Sequence, residues 1–271
     1  MNEKAFFGRY WPGTSVVHRL DPRTKLLLSV AFMVIVFLAS DWLGLAVCTV
    51  FTLLFYVLAN IPLMQAARSI APLLFIVVIT ALLNVLFVQG GTVYFQWGII
   101  CISEAGLAHA AFISVRLILL LLGVSLLTLT TTNLDITEAF ERLLAPLTRI
   151  GFPAHELAMM MGIALRFLPQ FALELRTVYR AQVSRGAQFT ANPFRGGATS
   201  LSSLIVPLFA SAFRHAETLS SAMEARCYHG GAGRTRLHPL AFARQDGIAT
   251  GVMLCMLGAV IAANILQGAI L

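Results

Sequence analysis

The sequence predicts an all-α, polytopic membrane protein with about five transmembrane helices and a cytoplasmic domain of long amphipathic helices. Three observations carry this. Hydrophobic residues make up 58% of the 271-residue chain and charged ones only 11%, whereas soluble domains run at roughly one half and one quarter. Five apolar runs approach the length of about 20 residues that spans ~30 Å of hydrocarbon. Between the fourth and fifth runs, apolar residues instead recur at helical spacing among charges, the mark of helices that cover one face only.

Residues 1–25 are polar and rich in turn formers, with a turn signal at Trp11-Pro12-Gly13. Leu20-Asp21-Pro22-Arg23-Thr24-Lys25 sets an Asp cap before a proline at the first helical position. Arg23 and Lys25 are expected to anchor that helix at the membrane surface. About 25 mixed residues precede the first apolar run and no small-residue cleavage site follows it, so no removable signal peptide is expected. Runs 26–39 and 43–59, parted only by Ser40-Asp41-Trp42, form a tight hairpin with Trp42 at an interface. Residues 60–71, with Pro62 and Arg68, read as a short loop before the third run, 72–88. Gly90-Gly91 then breaks the helix, and 93–102 is apolar but too short to cross, which suggests an interfacial hairpin or short helix on the outer side. The fourth span is 107–129 and the last 248–270.

Positive charge orients these spans. Lys4, Arg9, Arg19, Arg23 and Lys25 precede the first, Arg68 follows the second, and the twelve arginines from Arg142 to Arg244 lie between the fourth and fifth. The connections at 40–42 and 89–106 carry none. Basic loops stay cytoplasmic, so the N-terminus is inside and the C-terminus outside a prokaryotic cytoplasmic membrane. The chain thus divides into an N-terminal segment with four spans (1–129), a cytoplasmic helical domain (130–247) and a C-terminal span (248–271). Arg116, alone within a span, is expected to face the bundle or the cytoplasmic helices and to pair with a carbonyl or an acid.

In the cytoplasmic domain Ile136, Phe140, Leu143, Leu144, Leu147 and Ile150 share one helical face, with Asn133 or Asp135 as cap and Gly151-Phe152-Pro153 as stop. A second helix runs from His155 to about Ser184, striped by Leu157, Met161, Ala164, Leu165, Leu168, Phe171, Ala172, Leu175 and Tyr179, with a kink expected at Pro169. A third, from about Ser203 to Cys227, carries Ile205, Leu208, Phe209, Ala212, Ala216, Leu219 and Met223. Continuous apolar stripes of this kind need a partner, whether each other, the bilayer surface or another protein.

Both long helices end on an arginine among small residues: Ser184-Arg185-Gly186 and Ala225-Arg226-Cys227. The helix macrodipole favours a terminal cation by about 0.3 to 1 kcal/mol, enough to explain one of them. Two at matching positions point to docking, because small neighbours leave each guanidinium free to enter a groove and pair with carboxylates in a geometry lysine cannot copy.

Other chemistries fit poorly. No basic stripe interleaved with aromatics marks a nucleic-acid partner. His155-Glu156 lacks the second histidine of a zinc pattern, since position 159 is Met. His18, His109, His215, His229 and His238 show no ligand spacing and read as surface or cap residues, and Cys48, Cys101, Cys227 and Cys255 read as small packing residues. A secondary transporter using Arg116 would call for inverted repeats, and none are present.

The chain resembles the EcfT/CbiQ-like transmembrane T components of energy-coupling factor (ECF) importers of vitamins and metal ions, over nearly its whole length. The resemblance rests on the two arginine motifs and, in support, on Leu20-Asp21-Pro22-Arg23-Thr24-Lys25, Val115-Arg116-Leu117, Thr130-Thr131-Thr132, Leu165-Arg166-Phe167-Leu168-Pro169 and Gly233-Arg234-Thr235-Arg236. It implies a non-catalytic scaffold that docks two cytoplasmic ABC-type ATPase subunits, identical or different, through Ser184, Arg185, Gly186, Ala225, Arg226 and Cys227. It further implies a membrane-embedded substrate-binding S component held along the coupling helices at Met161, Leu165, Leu168, Phe171, Leu208 and Ala212. ATP and Mg would be bound by the partner ATPases and no cofactor by this chain, which has no Gly-x-x-x-x-Gly-Lys-Ser/Thr loop. Cys227 stands where the family has glycine, so a less sharply turned cap is expected after Arg226. The basic tail beyond that motif resembles modules shared among several vitamin-binding subunits; the alternative is a dedicated cobalt or nickel permease subunit.

Overall fold

A computed structural model describes residues 11–88, 90, 92–97, 100–146, 153–187, 189, 198–230 and 242–268. The expected helix stop at Gly151-Phe152, residues 192–197 between the two long helices and the Gly233-Arg234-Thr235-Arg236 motif lie outside these residues. The chain forms two units, Met1–Ala139 with Pro239–Leu271, and Phe140–His238.

Among the described residues the first unit is helical apart from one small hairpin. Helix α1 (Pro22–Leu38) begins as its sequence dictates, with Pro22 in the first turn and the Asp21 carboxylate accepting the N–H of Arg23 at 2.9 Å. Helix α2 (Trp42–Leu58) follows a short turn. Each has 17 residues, about 25 Å at 1.5 Å per residue. A helix that short leaves its last carbonyls within hydrocarbon, where an unsatisfied polar group costs several kcal/mol. Two side chains from other helices take up those of α1: Asn264 Nδ2 donates to Leu38 O at 2.8 Å, and the Arg116 guanidinium donates to Ala39 O while lying 4.7 Å from the Phe112 ring centre. Of the two partners expected for Arg116, a carbonyl is the one found.

Residues 60–71 are not a loop. Helix α3 (Leu63–Ile70) and a 3₁₀ turn (Ala71–Leu73) lead directly into α4 (Leu74–Phe87), and Met64–Phe87 is thereby long enough to cross a membrane. Pro62 sits just before the first turn, where a missing N–H breaks no bond, and Arg68 points outward while Ala66 and Ile70 are buried. The segment after α4 is a hairpin, with β1 (Val93–Trp97) antiparallel to β2 (Ile100–Ser103). Helix α5 (Glu104–Thr130) starts on Ser103, whose hydroxyl accepts the N–H of Gly106 at 3.1 Å and donates to Val88 O at 3.2 Å. A Cβ on Gly106 would stand 2.6 Å from Val88 O, so only glycine permits this approach of α4 and α5.

Helix α6 (Asn133–Leu144) is capped by Thr132, not by Asn133 or Asp135. The Thr132 hydroxyl accepts the N–H of Asp135 at 3.2 Å while the Asp135 carboxylate accepts the Thr132 N–H at 3.4 Å and its hydroxyl at 2.7 Å, a reciprocal capping box. Helix α9 (Arg244–Gly268) closes the unit, whose centre holds Val36, Cys48, Met256 and Val260, all fully buried.

Arg23 and Lys25 are not surface anchors. Lys25 is buried, and its ammonium donates to His18 O at 2.9 Å and to Thr130 O at 3.0 Å. Arg23 lies against Asp21 at 3.7 Å and over the Phe242 ring at 5.3 Å. Asp21 holds Arg23 against the protein, and Asp135, Asp246 and Asp21 surround Lys25 with negative charge.

In the second unit α7 (Ala154–Ser184) runs unbroken through Pro169, and α8 (Ala198–Ala225) begins upstream of the expected start near Ser203. Among the described residues four helices are long and apolar enough to cross a membrane: Met64–Phe87, Glu104–Thr130, Arg244–Gln267 and, the least apolar of them, His155–Ser184. Glu156, Arg166, Glu174, Arg176 and Arg180 spread along the last, which marks it as amphipathic rather than spanning. The chain is an all-α, multi-pass membrane protein.

Candidate functional site

The candidate site is the pair α7 and α8 with the two arginine ends. Contacts fix their relative direction: Glu174 meets Ser211 and His215, Phe167 stacks on His215 with ring centres 5.8 Å apart, and Met159 Sδ accepts the Tyr228 hydroxyl at 2.8 Å. Partner numbers rise along α8 as they fall along α7, so the helices are antiparallel and the two arginines sit at opposite ends of the pair. At 1.5 Å per residue those ends are about 35 Å apart.

Both ends have the same backbone. After α7, Gly186 N–H bonds Val183 O at 3.0 Å and Ala187 N–H bonds Gln182 O at 3.0 Å, with Gly186 at φ 88°. After α8, Cys227 N–H bonds Glu224 O at 2.9 Å and Tyr228 N–H bonds Met223 O at 3.0 Å, with Cys227 at φ 53°. Each is a Schellman motif with the arginine in the last helical turn and the next residue left-handed. The expectation of a blunter turn at Cys227 is corrected: two backbone hydrogen bonds and an exposed side chain hold a non-glycine residue in the same conformation. Ser184, Arg185, Gly186, Ala225, Arg226 and Cys227 are all exposed, and among the described residues the side chain of neither Arg185 nor Arg226 makes a hydrogen bond or ion pair. Since left-handed backbone costs a Cβ-bearing residue about 1 kcal/mol or more, Cys227→Gly is expected to raise the unfolding free energy by about 1 kcal/mol, read by thermal denaturation in detergent.

The residues singled out along the coupling helices divide by exposure. Met161 and Leu168 are about half exposed, at 48% and 49%, while Leu165, Phe171, Leu208 and Ala212 are partly buried. Phe171 faces α8, its ring centre 5.8 Å from that of His215. The predicted stripe of α7 is therefore split: Phe171 packs on the partner helix, and Met161, Leu168, Leu175 and Tyr179 are left uncovered. Val206, Phe209 and Phe213 form a second uncovered face on α8.

Sequence reasoning missed the polar centre of this interface. His215, read as a surface or cap residue, has its Nε2 2.7 Å from Glu174 Oε1, and the Ser211 hydroxyl donates to Glu174 Oε2 at 2.8 Å. Ser211 and His215 are four apart and so share a face of α8, the available signal, but Glu174 lies on another helix. No group of three or more His, Cys, Asp or Glu that could hold a metal occurs among the described residues.

The family model described as cobalt transport protein (CbiQ) matches residues 13–238. The chain belongs to this family. It is 46% identical over 248 residues to the energy-coupling factor transporter transmembrane protein EcfT of Brevibacillus brevis, covering 92% of this chain and 94% of that one. The protein of the same name in Bacillus subtilis is 43% identical over 246 residues, with 91% and 93% covered. That of Ruminiclostridium cellulolyticum is 44% identical over 245 residues, with 90% and 91% covered.

In this member of the family the hydrogen bonds of the α7–α8 clasp act on the charge state of Glu174. The hydrogen bond from His215, with those from Ser211 and Gln170, holds the Glu174 carboxyl below the usual glutamate range. A depressed carboxylate contributes stability that is present above its ordinary value of about 4.3 and is lost as pH falls through the lowered one. Glu174→Gln is therefore expected to lower the melting temperature at neutral pH, with the difference from wild type shrinking as pH falls below the ordinary glutamate range and vanishing once the lowered carboxyl is protonated.

Proposed function

We propose that this chain is the transmembrane scaffold, or T component, of an ATP-driven ECF importer of vitamins or other micronutrients. In this reading Arg185 and Arg226, with their small neighbours, plug into two cytoplasmic ABC-type ATPases, and the uncovered faces of α7 and α8 receive a membrane-embedded S component. ATP and Mg belong to the ATPases, and the chain itself catalyses nothing. The observation that carries the reading is the pair of exposed arginines presented by the same turn at opposite ends of one antiparallel helix pair. Closing and opening of the ATPases would move both ends, and the Glu174–His215–Ser211 clasp would make the two helices respond together, tilting the S component between its two orientations. The distribution of arginine and lysine supports a cytoplasmic N-terminus and a cytoplasmic location for the coupling helices.

Reconstitution tests the proposal. Proteoliposomes holding this chain, both ATPases and the S component are expected to accumulate solute only with ATP inside the appropriate face, and to accumulate none when the ATPases are left out. Uptake by the chain alone under an ion gradient would replace this reading with a secondary transporter. The description of the matching family as cobalt transport protein supports one further alternative, a dedicated cobalt or nickel module; the proteins that co-purify from native membranes, and the solute they retain, separate it from a shared vitamin module.

A further inference from the structure

The first turns of α1 and α9, the last turn of α5 and the cap of α6 converge on Lys25. Its ammonium, 8% exposed as a residue, donates to the carbonyls of His18 and Thr130, the latter 105 positions along the chain. Asp21, Asp135 and Asp246 supply the negative charge that acts on it. Asp246 also accepts the N–H of Asp21 at 2.9 Å and that of Ala243 at 2.7 Å, tying the start of α9 to the start of α1 across 225 positions. Asp135 is the reciprocal member of the α6 capping box. Asp21, Thr130, Thr131 and Asp246 are buried with Lys25.

Taking an ammonium out of water costs several kcal/mol, and apolar residues replacing a whole buried ion cluster commonly serve packing as well or better. Stability alone therefore does not call for a lysine here. What the charge provides is a direction-specific tie to the end of α5. The last carbonyls of a helix have no partner within it and the last turn frays easily. With Thr130 O held by Lys25, and Thr132 already capping α6, only Thr131 lies between a fixed α5 and a fixed α6.

We propose that Lys25 is a positioning residue that stiffens the joint between α5 and α6, so that displacement begun in the coupling helices reaches α1, α5 and α9 together instead of being absorbed by unwinding at Thr130. The inference rests on the scaffold reading given above. Lys25 touches neither ATP nor solute; its part is to keep hydrolysis and transport in step.

The test is the amount of solute moved per ATP hydrolysed, in the full complex reconstituted in proteoliposomes. The solute is the vitamin retained by the co-purified S component, identified by mass spectrometry and supplied radiolabelled. Lys25→Met removes the cation from that cluster and is expected to lower the melting temperature, while the complex that does assemble with the ATPases and S component hydrolyses ATP at close to the wild-type rate. Solute moved per ATP is expected to fall by about ten-fold, a size seen for residues remote from both coupled sites. Asp246→Asn keeps size and an accepting oxygen but removes one charge, and is expected to lower the ratio in the same direction by about three-fold. If Lys25→Met does not assemble, Asp246→Asn decides. Uptake and hydrolysis that fall in proportion, or a ratio unchanged in the variant that assembles, overturns the proposal. Failure of the scaffold reading looks different, since the wild-type complex would then show no ATP-dependent uptake at all.

Discussion

Glutamate in place of Arg185 or Arg226 is expected to strip the ATPases from the complex and abolish transport. Each variant reverses the charge offered to the proposed ATPase groove, and truncating or reversing one partner of a desolvated charge pair costs about 2 to 5 kcal/mol of docking energy, which is at least about thirty-fold in affinity. The structure adds the form of the result. Both guanidiniums are exposed and stand on the same hydrogen-bonded turn, so neither substitution disturbs a contact within the chain among the described residues. Sites about 35 Å apart with no shared partner contribute independently. Each single variant should therefore lose one ATPase contact, and the double variant should be no worse than additive. Quantitative co-purification of wild type, Arg185→Glu, Arg226→Glu and the double variant measures this; equal yields would remove the docking role.

The second large effect is expected at Leu168. It is 49% exposed on α7, whereas Phe171, three positions on, packs against His215 of α8. A charge at an uncovered apolar position leaves the helix pair intact but must be desolvated when a partner arrives. Leu168→Glu is accordingly expected to keep the wild-type melting temperature and both ATPases while retention of the S component drops by about ten-fold or more, the scale of a central interface residue. Phe171→Glu should behave otherwise, lowering the melting temperature because the new carboxylate lies against the α7–α8 contact. Equal S-component retention in wild type and Leu168→Glu would remove that face from the proposed contact.

What the sequence disclosed and what it hid follow from the range of the interactions involved. The third, fourth and fifth spans were legible because hydrocarbon demands an uninterrupted apolar run, whereas the first two runs form helices of only 17 residues. The α1 cap at Asp21 and the arginine ends were legible because capping acts within a few positions of the chain. Residues 60–71 misled for a local reason: a proline and an arginine read as loop, although a proline just before a first turn and a cation on an outward face suit a short helix equally well. The burial of Lys25 could not be read, since its partners are 105 positions away at Thr130 and on the far end of the chain at Asp246. The same holds for His215, whose role is set by a carboxylate 41 positions earlier. Cys227 shows the limit of residue preference, because two backbone hydrogen bonds overrule the usual demand for glycine.

Head-to-tail reversal of α7 and α8 has one last consequence. A single polypeptide with no internal duplication nonetheless acquires an approximate dyad at the clasp, and rotation about it exchanges one cationic plug for the other. Motors related by a true two-fold axis could then meet equivalent sockets on a subunit that is itself asymmetric, and a stroke made by both would twist the platform about that axis instead of shoving it sideways.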